Sequence, residues 1–349
     1  MLKAEWTRYR LNFRFEAITS RDRLRTKDTY YIRLSRTDAP EMQGLGEAGL
    51  FRGLSLDDRP DYEQKLAEVC ADPARYIENP NLLREWPSIA MGLESAKLDL
   101  DGGGKRILYD TPWSRGESTL KINGLIWMGD YETMLGRLRE KMAQGFTCIK
   151  VKIGGIDFER ELKLLSLLRE TAPGVELRLD ANGAFSPAEA LGKLEQLACY
   201  DIHSIEQPIR QGQWAEMARI CRESPIAIAL DEELIALTDK EDRRRILEAV
   251  RPPYIILKPT LTGGFRASEE WIALSRETGA NWWATSALES NIGLNAISQW
   301  AASLTPTLPQ GLGTGQLYHN NIPSPLSLEG EKLSYNPQKE WQIPDLNWH

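Results

Sequence analysis

Between Arg8 and Phe15 polar and apolar residues take turns: Tyr9, Leu11, Phe13 and Phe15 are apolar, and Arg8, Arg10, Asn12 and Arg14 between them are polar. A period of two is that of a strand with one face buried. TYYIRLS and the glycine-rich GLGEAGLFRG read as two more strands, so the chain opens on a small antiparallel meander. The polar stretch AITSRDRLRTKD, residues 17–28, is the expected connection between the first two. From about Asp61 the period lengthens. Ile89, Leu93, Ala96 and Leu100 fall on one helical face, and Gly102 to Gly104 end that helix. Residues 1–113 are expected to form an α+β module.

After LYDTPW, apolar runs alternate with amphipathic helices. The runs are LKINGLI, CIKVKIG, VELRLDAN, IHSIEQPI, IAIALDEEL, YIILKP, NWWATSALES and LPQGLGTG, eight in all. Helix signals stand between them: Ser186 with Glu189 as a capping box and Pro187 at the first helical position, Thr238 with Glu241 as another box, and Gly145 and Gly279 where C-terminal caps belong. Eight such units predict a (β/α) barrel over residues 114–318. An open doubly wound sheet fits less well, because ionisable residues end many of the runs and do not cluster after the first. Residues 319–349 are rich in proline and polar residues, carry LSLEGEKLSY as a final strand, and are expected to pack back on the N-terminal module.

Composition narrows the partners. A hydrophobic content of 42% with 27% charged residues is that of an ordinary globular protein. The net charge of −7 argues against a nucleic acid or an anionic membrane as partner. MLKAEWTRYRLNF lacks the apolar core of a signal peptide, and no stretch approaches the ~18 apolar residues of a membrane span, so a cytoplasmic location is expected. Cys70, Cys148, Cys199 and Cys221 show no CxxC spacing and read as thiols of a reducing compartment.

The chemistry lies at the ends of the runs. Asp180, Glu206 and Asp231 end three successive ones, 26 and 25 residues apart, about the length of one βα repeat. Carboxylates at the ends of adjacent parallel strands converge, and like charges that close stay ionised around a cation. Oxygen ligands without Cys or His favour Mg²⁺ or Mn²⁺ over Zn²⁺. Asp231 has Glu232 and Glu233 as neighbours. Strand alternation puts Asp231 and Glu233 on one face and Glu232 on the other, and register with Asp180 and Glu206 favours Asp231. Lys150 and Lys152 share a face of the strand before these acids, and Lys258 ends the run after them. They could be structural partners of the carboxylates, but lysines beside a hard divalent ion also make a site for forming an enolate. His203 and His319 are expected to be structural, and His349 is the C-terminal residue.

KVKIG, RLDANGAF, SIEQPI, LDEEL and ILKP, in this order and spacing, resemble the enolase superfamily in its muconate-lactonising branch, and the resemblance covers essentially the whole chain. It implies an α/β fold, a (β/α)7β TIM-like barrel with an N-terminal α+β capping domain completed by the C-terminal segment. It also implies Lys152 as acid/base, Lys258 facing it across a small carboxylate substrate, and Asp180, Glu206 and Asp231 as Mg²⁺ ligands. A lysine base with Mg²⁺ at the ene-diolate is what is known of enolase-superfamily sites in general. Lys150, Asn182, Ser286, Gly311, Gly313 and Thr314 are the expected substrate-binding residues. TSALESNIGLNAISQW and GLGTGQLY are similar to the branch's dehydratases of menaquinone biosynthesis, which act on a succinyl-hydroxycyclohexadiene carboxylate. The dipeptide epimerases of the branch usually carry Asp-x-Asp on the eighth strand, where this chain has Gly311-Leu312-Gly313-Thr314-Gly315. That neutral wall suits a substrate without an amine. A racemase of N-acylamino acids, using Lys152 and Lys258 as two bases, is the alternative. In the resembling family the segment at about 17–28 belongs to a lid over the barrel mouth, so one of Arg21, Arg23, Arg25 and Lys27 is expected to meet the substrate's negative charge.

Overall fold

A computed structural model of the chain describes residues 1–18 and 23–349. Strands β1 (Leu2–Ile18), β2 (Arg23–Arg36) and β3 (Ala39–Ala48) form the antiparallel meander. The segment expected as a polar loop is mostly ribbon. Ala17 and Ile18 end β1, Arg23 to Asp28 begin β2, and Thr19 to Asp22, with the Arg21 candidate, lie outside the described residues. β3 stops at Ala48, so LFRG, read as part of this strand, leaves the sheet.

Helices α1 (Tyr62–Ala71), α2 (Pro73–Glu78) and α3 (Pro87–Asp101) follow, and α3 lies on β3. The glycines of GLGEAG explain the close fit. A Cβ on Gly44 would stand 2.1 Å from the Ala96 carbonyl oxygen, and one on Gly46 would stand 2.0 Å from that of Gly92. Ile89, Leu93, Ala96 and Leu100 are buried against Tyr30, Ile32 and Leu34 in a core separate from that of the barrel.

The second unit starts with β4 (Leu120–Lys121), β5 (Gly124–Ile126), α4 (Tyr131–Ala143), β6 (Cys148–Lys152), α5 (Phe158–Thr171), β7 (Glu176–Asp180), α6 (Ala190–Leu197) and β8 (Ile202–Glu206). It continues with α7 (Trp214–Glu223), β9 (Ile228–Leu230), α8 (Lys240–Val250), β10 (Tyr254–Leu257), α9 (Pro259–Thr262), α10 (Gly264–Thr278), β11 (Asn281–Ala284) and α11 (Asn291–Ser303). The parallel sheet runs β5–β6–β7–β8–β9–β10–β11 in chain order. The eighth run, LPQGLGTG, forms no regular strand. It closes the barrel through two single bridges, Ile122 to Gln310 on one side and Thr285 to Gly311 on the other. With so little ladder to form, glycine costs the eighth run less than it would cost a full strand. The helices shield the outer face with a leucine- and isoleucine-rich core.

Two caps differ from the sequence reading. The N-cap of α8 is Asp239, whose carboxylate accepts from the Glu241 amide, one residue after Thr238. Ser186 donates to Glu189, but the regular helix begins only at Ala190.

After the barrel, β12 (Leu326–Glu329) and β13 (Lys332–Tyr335) form a hairpin, and β13 pairs with β4. The chain then returns to the first sheet, where the His349 amide donates to the Trp6 carbonyl at 2.9 Å and Arg33 lies over the Trp348 ring. Among the described residues no helix is long and apolar enough to cross a membrane.

Candidate active site

Parallel strands of equal phase bring equivalent positions to one height. Lys152 is the register partner of Asp180, and Asp180 that of Glu206, so three side chains from β6, β7 and β8 end level at the C-terminal rim. Asp231 follows β9 and Lys258 follows β10. The acids therefore lie between the two lysines in sheet order, and all five side chains are buried or nearly so.

The ammonium groups are turned to the acids. Lys150 Nζ donates to Glu206 Oε2 at 2.8 Å and to Asp180 Oδ2 at 3.2 Å. Lys152 Nζ donates to the same Asp180 oxygen at 2.9 Å and to Asn182 Oδ1 at 2.7 Å, and Lys258 Nζ donates to Asp231 Oδ2. Burial works against a charged Lys150, yet Glu206 and Asp180 outweigh it and hold its pKa well above the lysine range. Lys258 is raised in the same way, with Asp231 and Glu232 overcoming burial. At Asp180 burial is overridden by Lys152, Lys150 and Lys258, which keep its carboxyl far below the usual range. Glu206 goes the other way. Burial pushes it up, Lys150 pulls it down, and Asp180 and Asp231 push it up again, to about 7.

That imbalance bears on a cation. Glu206 Oε1 is buried without a hydrogen-bond partner. Among the described residues no three His, Cys, Asp or Glu side chains form a ready metal-binding group, and one oxygen of each of the three acids is paired with a lysine. The donors nevertheless fit a hard divalent ion. They are oxygens only, burial and the neighbouring acids push one of them, Glu206, toward its neutral form, and its Oε1 has nothing to bind.

The rim opens into a cavity of about 470 Å³. Lys150, Lys152, Asp180, Asn182 and Lys258 line it, as do Ser286, Gly311, Gly313 and Thr314 of the expected binding wall. Phe15 and Leu24 of the ribbon and Phe51 to Leu54 after β3 cover it from the first unit. Of the described ribbon cations, Arg23, Arg25 and Lys27 are not among the residues that line the cavity. Arg23 and Arg25 pair with Glu16 at 3.0 and 3.1 Å, and Lys27 is buried against the loop after β11.

Sequence reasoning missed several wall residues. Glu232 lines the cavity although alternation put it on the opposite face, because the strand ends at Leu230 and Glu232–Leu234 turn as a short 3₁₀ helix. Its carboxylate accepts from the Asn182 amide at 3.0 Å. Glu233, placed with Asp231 by alternation, instead accepts from Gln207 and the Gly212 amide. Trp127 lies 5.8 Å from the Lys152 ammonium, and the Asn123 and Thr285 oxygens are buried at the cavity without partners. Asn123 could have been found: it is a polar residue inside the run LKINGLI, as Lys150 is in its own.

A seven-stranded parallel barrel with level acids and lysines at its C-terminal rim and a separate α+β unit over its mouth agrees with the comparisons. Residues 133–336 match the family described as enolase C-terminal domain-like. The chain belongs to the enolase superfamily, in its muconate-lactonising branch. Within the branch it is similar to o-succinylbenzoate synthase of Desulfotalea psychrophila, at 44% identity over 95% of this chain and 98% of that one. The crystal structure of MenC from D. psychrophila LSv54 superimposes with a TM-score of 0.84 at 42% identity, covering 95% of this chain and 99% of the other. Muconate lactonizing enzyme from Pseudomonas fluorescens shares the fold, with a TM-score of 0.81 at 22% identity over 99% and 96% of the two chains.

Proposed function

We propose that this protein is an o-succinylbenzoate synthase, a hydro-lyase of menaquinone biosynthesis that dehydrates 2-succinyl-6-hydroxy-2,4-cyclohexadiene-1-carboxylate. The observation that carries the reading is the joint one: a lysine pair with three acids between them in sheet order, next to a wall of Gly311, Gly313 and Thr314 that has no carboxylate for an amine. The similarity to o-succinylbenzoate synthase at 44% identity supports the same choice.

Asp180, Glu206 and Asp231 would hold Mg²⁺, with Mn²⁺ as a substitute, and the ion would supply positive charge where the substrate carboxylate becomes an enediolate. Lys152 takes the proton from the carbon bearing the carboxylate. Asn182 accepts a hydrogen bond from Lys152, which fixes where the amine points. Lys258 stays an ammonium and stabilises the developing charge from its own side. The C–O bond to the ring hydroxyl then breaks, Lys152 returns the proton to the departing oxygen as water, and the ring becomes aromatic. One lysine serves both steps, so the elimination is syn. Phe15, Leu24 and Phe51 keep solvent from the carbanionic centre.

The test is ultraviolet monitoring of the diene in Mg²⁺ buffer, beside a chiral assay on N-acylamino acids. Consumption of the diene with formation of o-succinylbenzoate is the expected result. Fast racemisation without dehydration would assign the two lysines to the two-base chemistry of a racemase.

A further inference from the structure

The loop after β11 forms the cavity wall in a conformation that its own sequence does not favour. Leu288 sits at φ 63°, left-handed backbone that is strained for a non-glycine residue and persists only where the surroundings hold it. Leu288 and Ser286 both line the cavity. What holds the loop comes partly from the capping sheet. Lys27 of β2, 8% exposed, donates from Nζ to the Leu288 carbonyl at 2.9 Å, and Tyr318 donates to the same oxygen at 2.7 Å. The carboxylate of Glu289, fully buried, accepts from Thr260 and from the Ser286 hydroxyl, which in turn accepts from Thr314 at 2.8 Å. Glu47 of β3 takes the Ser290 amide and hydroxyl, at 2.9 and 2.6 Å.

A buried lysine in the capping unit therefore contacts the cavity wall from behind and does not line the cavity itself. We propose that Lys27 is a positioning residue: its ammonium fixes the Leu288 carbonyl, and with Glu289 it keeps Ser286 and Leu288 in the shape that grips the part of the substrate remote from the reacting carbon. The assignment rests on reading the cavity as the substrate site. It makes the capping sheet a determinant of substrate affinity through a loop of the barrel, a link that neither unit contains alone.

The experiment uses the full chain with Lys27→Met, which keeps length and apolar bulk but removes the donor, and Glu289→Gln as a second variant. Two readouts are taken. Amide hydrogen exchange of residues 286–290 is expected to quicken at least tenfold in both variants while that of β6 to β8 stays as in the wild type. KM for the cyclohexadiene carboxylate is expected to rise at least tenfold with kcat within about threefold. A purely structural role would instead lower Tm and the active fraction, hence apparent kcat, and leave KM unchanged. Unchanged exchange in the loop, or a fall in kcat alone, overturns the proposal. If the wild type does not consume the diene, the functional reading fails and the exchange measurement decides this one by itself. If Lys27→Met does not fold, Glu289→Gln carries both readouts.

Discussion

Replacing Glu206 by Gln should make the protein more stable and inactive at once. The ordinary glutamate pKa is 4.5, and burial together with Asp180 and Asp231 pushes that of Glu206 up to about 7 in spite of Lys150. At 1.36 kcal/mol per unit, ionising it in the folded protein costs about 3 kcal/mol more than in the unfolded chain. The folded-state value lies above the unfolded one, so the associated stability is fully present below pH 4.5 and is lost as pH rises through 7. Glutamine has the shape of the neutral acid and can still accept from Lys150, but it never ionises. In chelator-treated buffer at pH 8, Glu206→Gln should exceed the wild type by up to about 3 kcal/mol, several degrees in Tm for a chain of this size. At pH 4.5 the two should coincide. Calorimetric scans across this range measure the difference, and diene turnover is followed in parallel and should vanish in the variant. Magnesium should raise the wild-type Tm by mass action, about 2.7 kcal/mol at a hundred times Kd, and raise the variant far less. A variant less stable than the wild type at pH 8, or a gap that does not change with pH, would refute the reasoning that Glu206 carries uncompensated charge.

Asp180→Ala and Asp231→Ala should each abolish turnover, and chelation should do the same to the wild type; full activity with no metal left by elemental analysis would sink the cation assignment. Lys152→Ala should lose both dehydration and exchange of the α-proton with deuterated solvent, whereas Lys258→Arg should keep measurable exchange because a fixed cation remains. Arg23→Ala and Arg25→Ala, which remove exposed partners of Glu16, should leave kcat/KM within about twofold, since exposed pairs contribute little. Gly46→Ala should lower stability by about 1–3 kcal/mol in thermal unfolding, because its Cβ meets the backbone of α3 at 2.0 Å and neither element can give way cheaply.

The order of the barrel and the rim residues were legible because they depend on periodicity alone. Asp180, Glu206, Lys150 and Lys152 each sit at the end of an apolar run, and parallel strands of like length must bring such ends together. The helix face of Ile89, Leu93, Ala96 and Leu100 was legible for the same reason. What depends on where a strand stops was not. Glu232 reaches the cavity because β9 ends one residue before Asp231 and the chain turns, and a period of two has no meaning past that point. The length of the ribbon was hidden too. Arg23 to Lys27 read as loop by composition, yet Arg23, Leu24, Thr26 and Lys27 stand opposite residues of β1 and Glu16 pairs with both Arg23 and Arg25. Lys27 looked like any basic residue over a binding site. Only the packing of one unit on the other decided that its ammonium would be buried against Leu288, because the partner lies 261 residues away and no local pattern encodes a contact made by docking two folded surfaces.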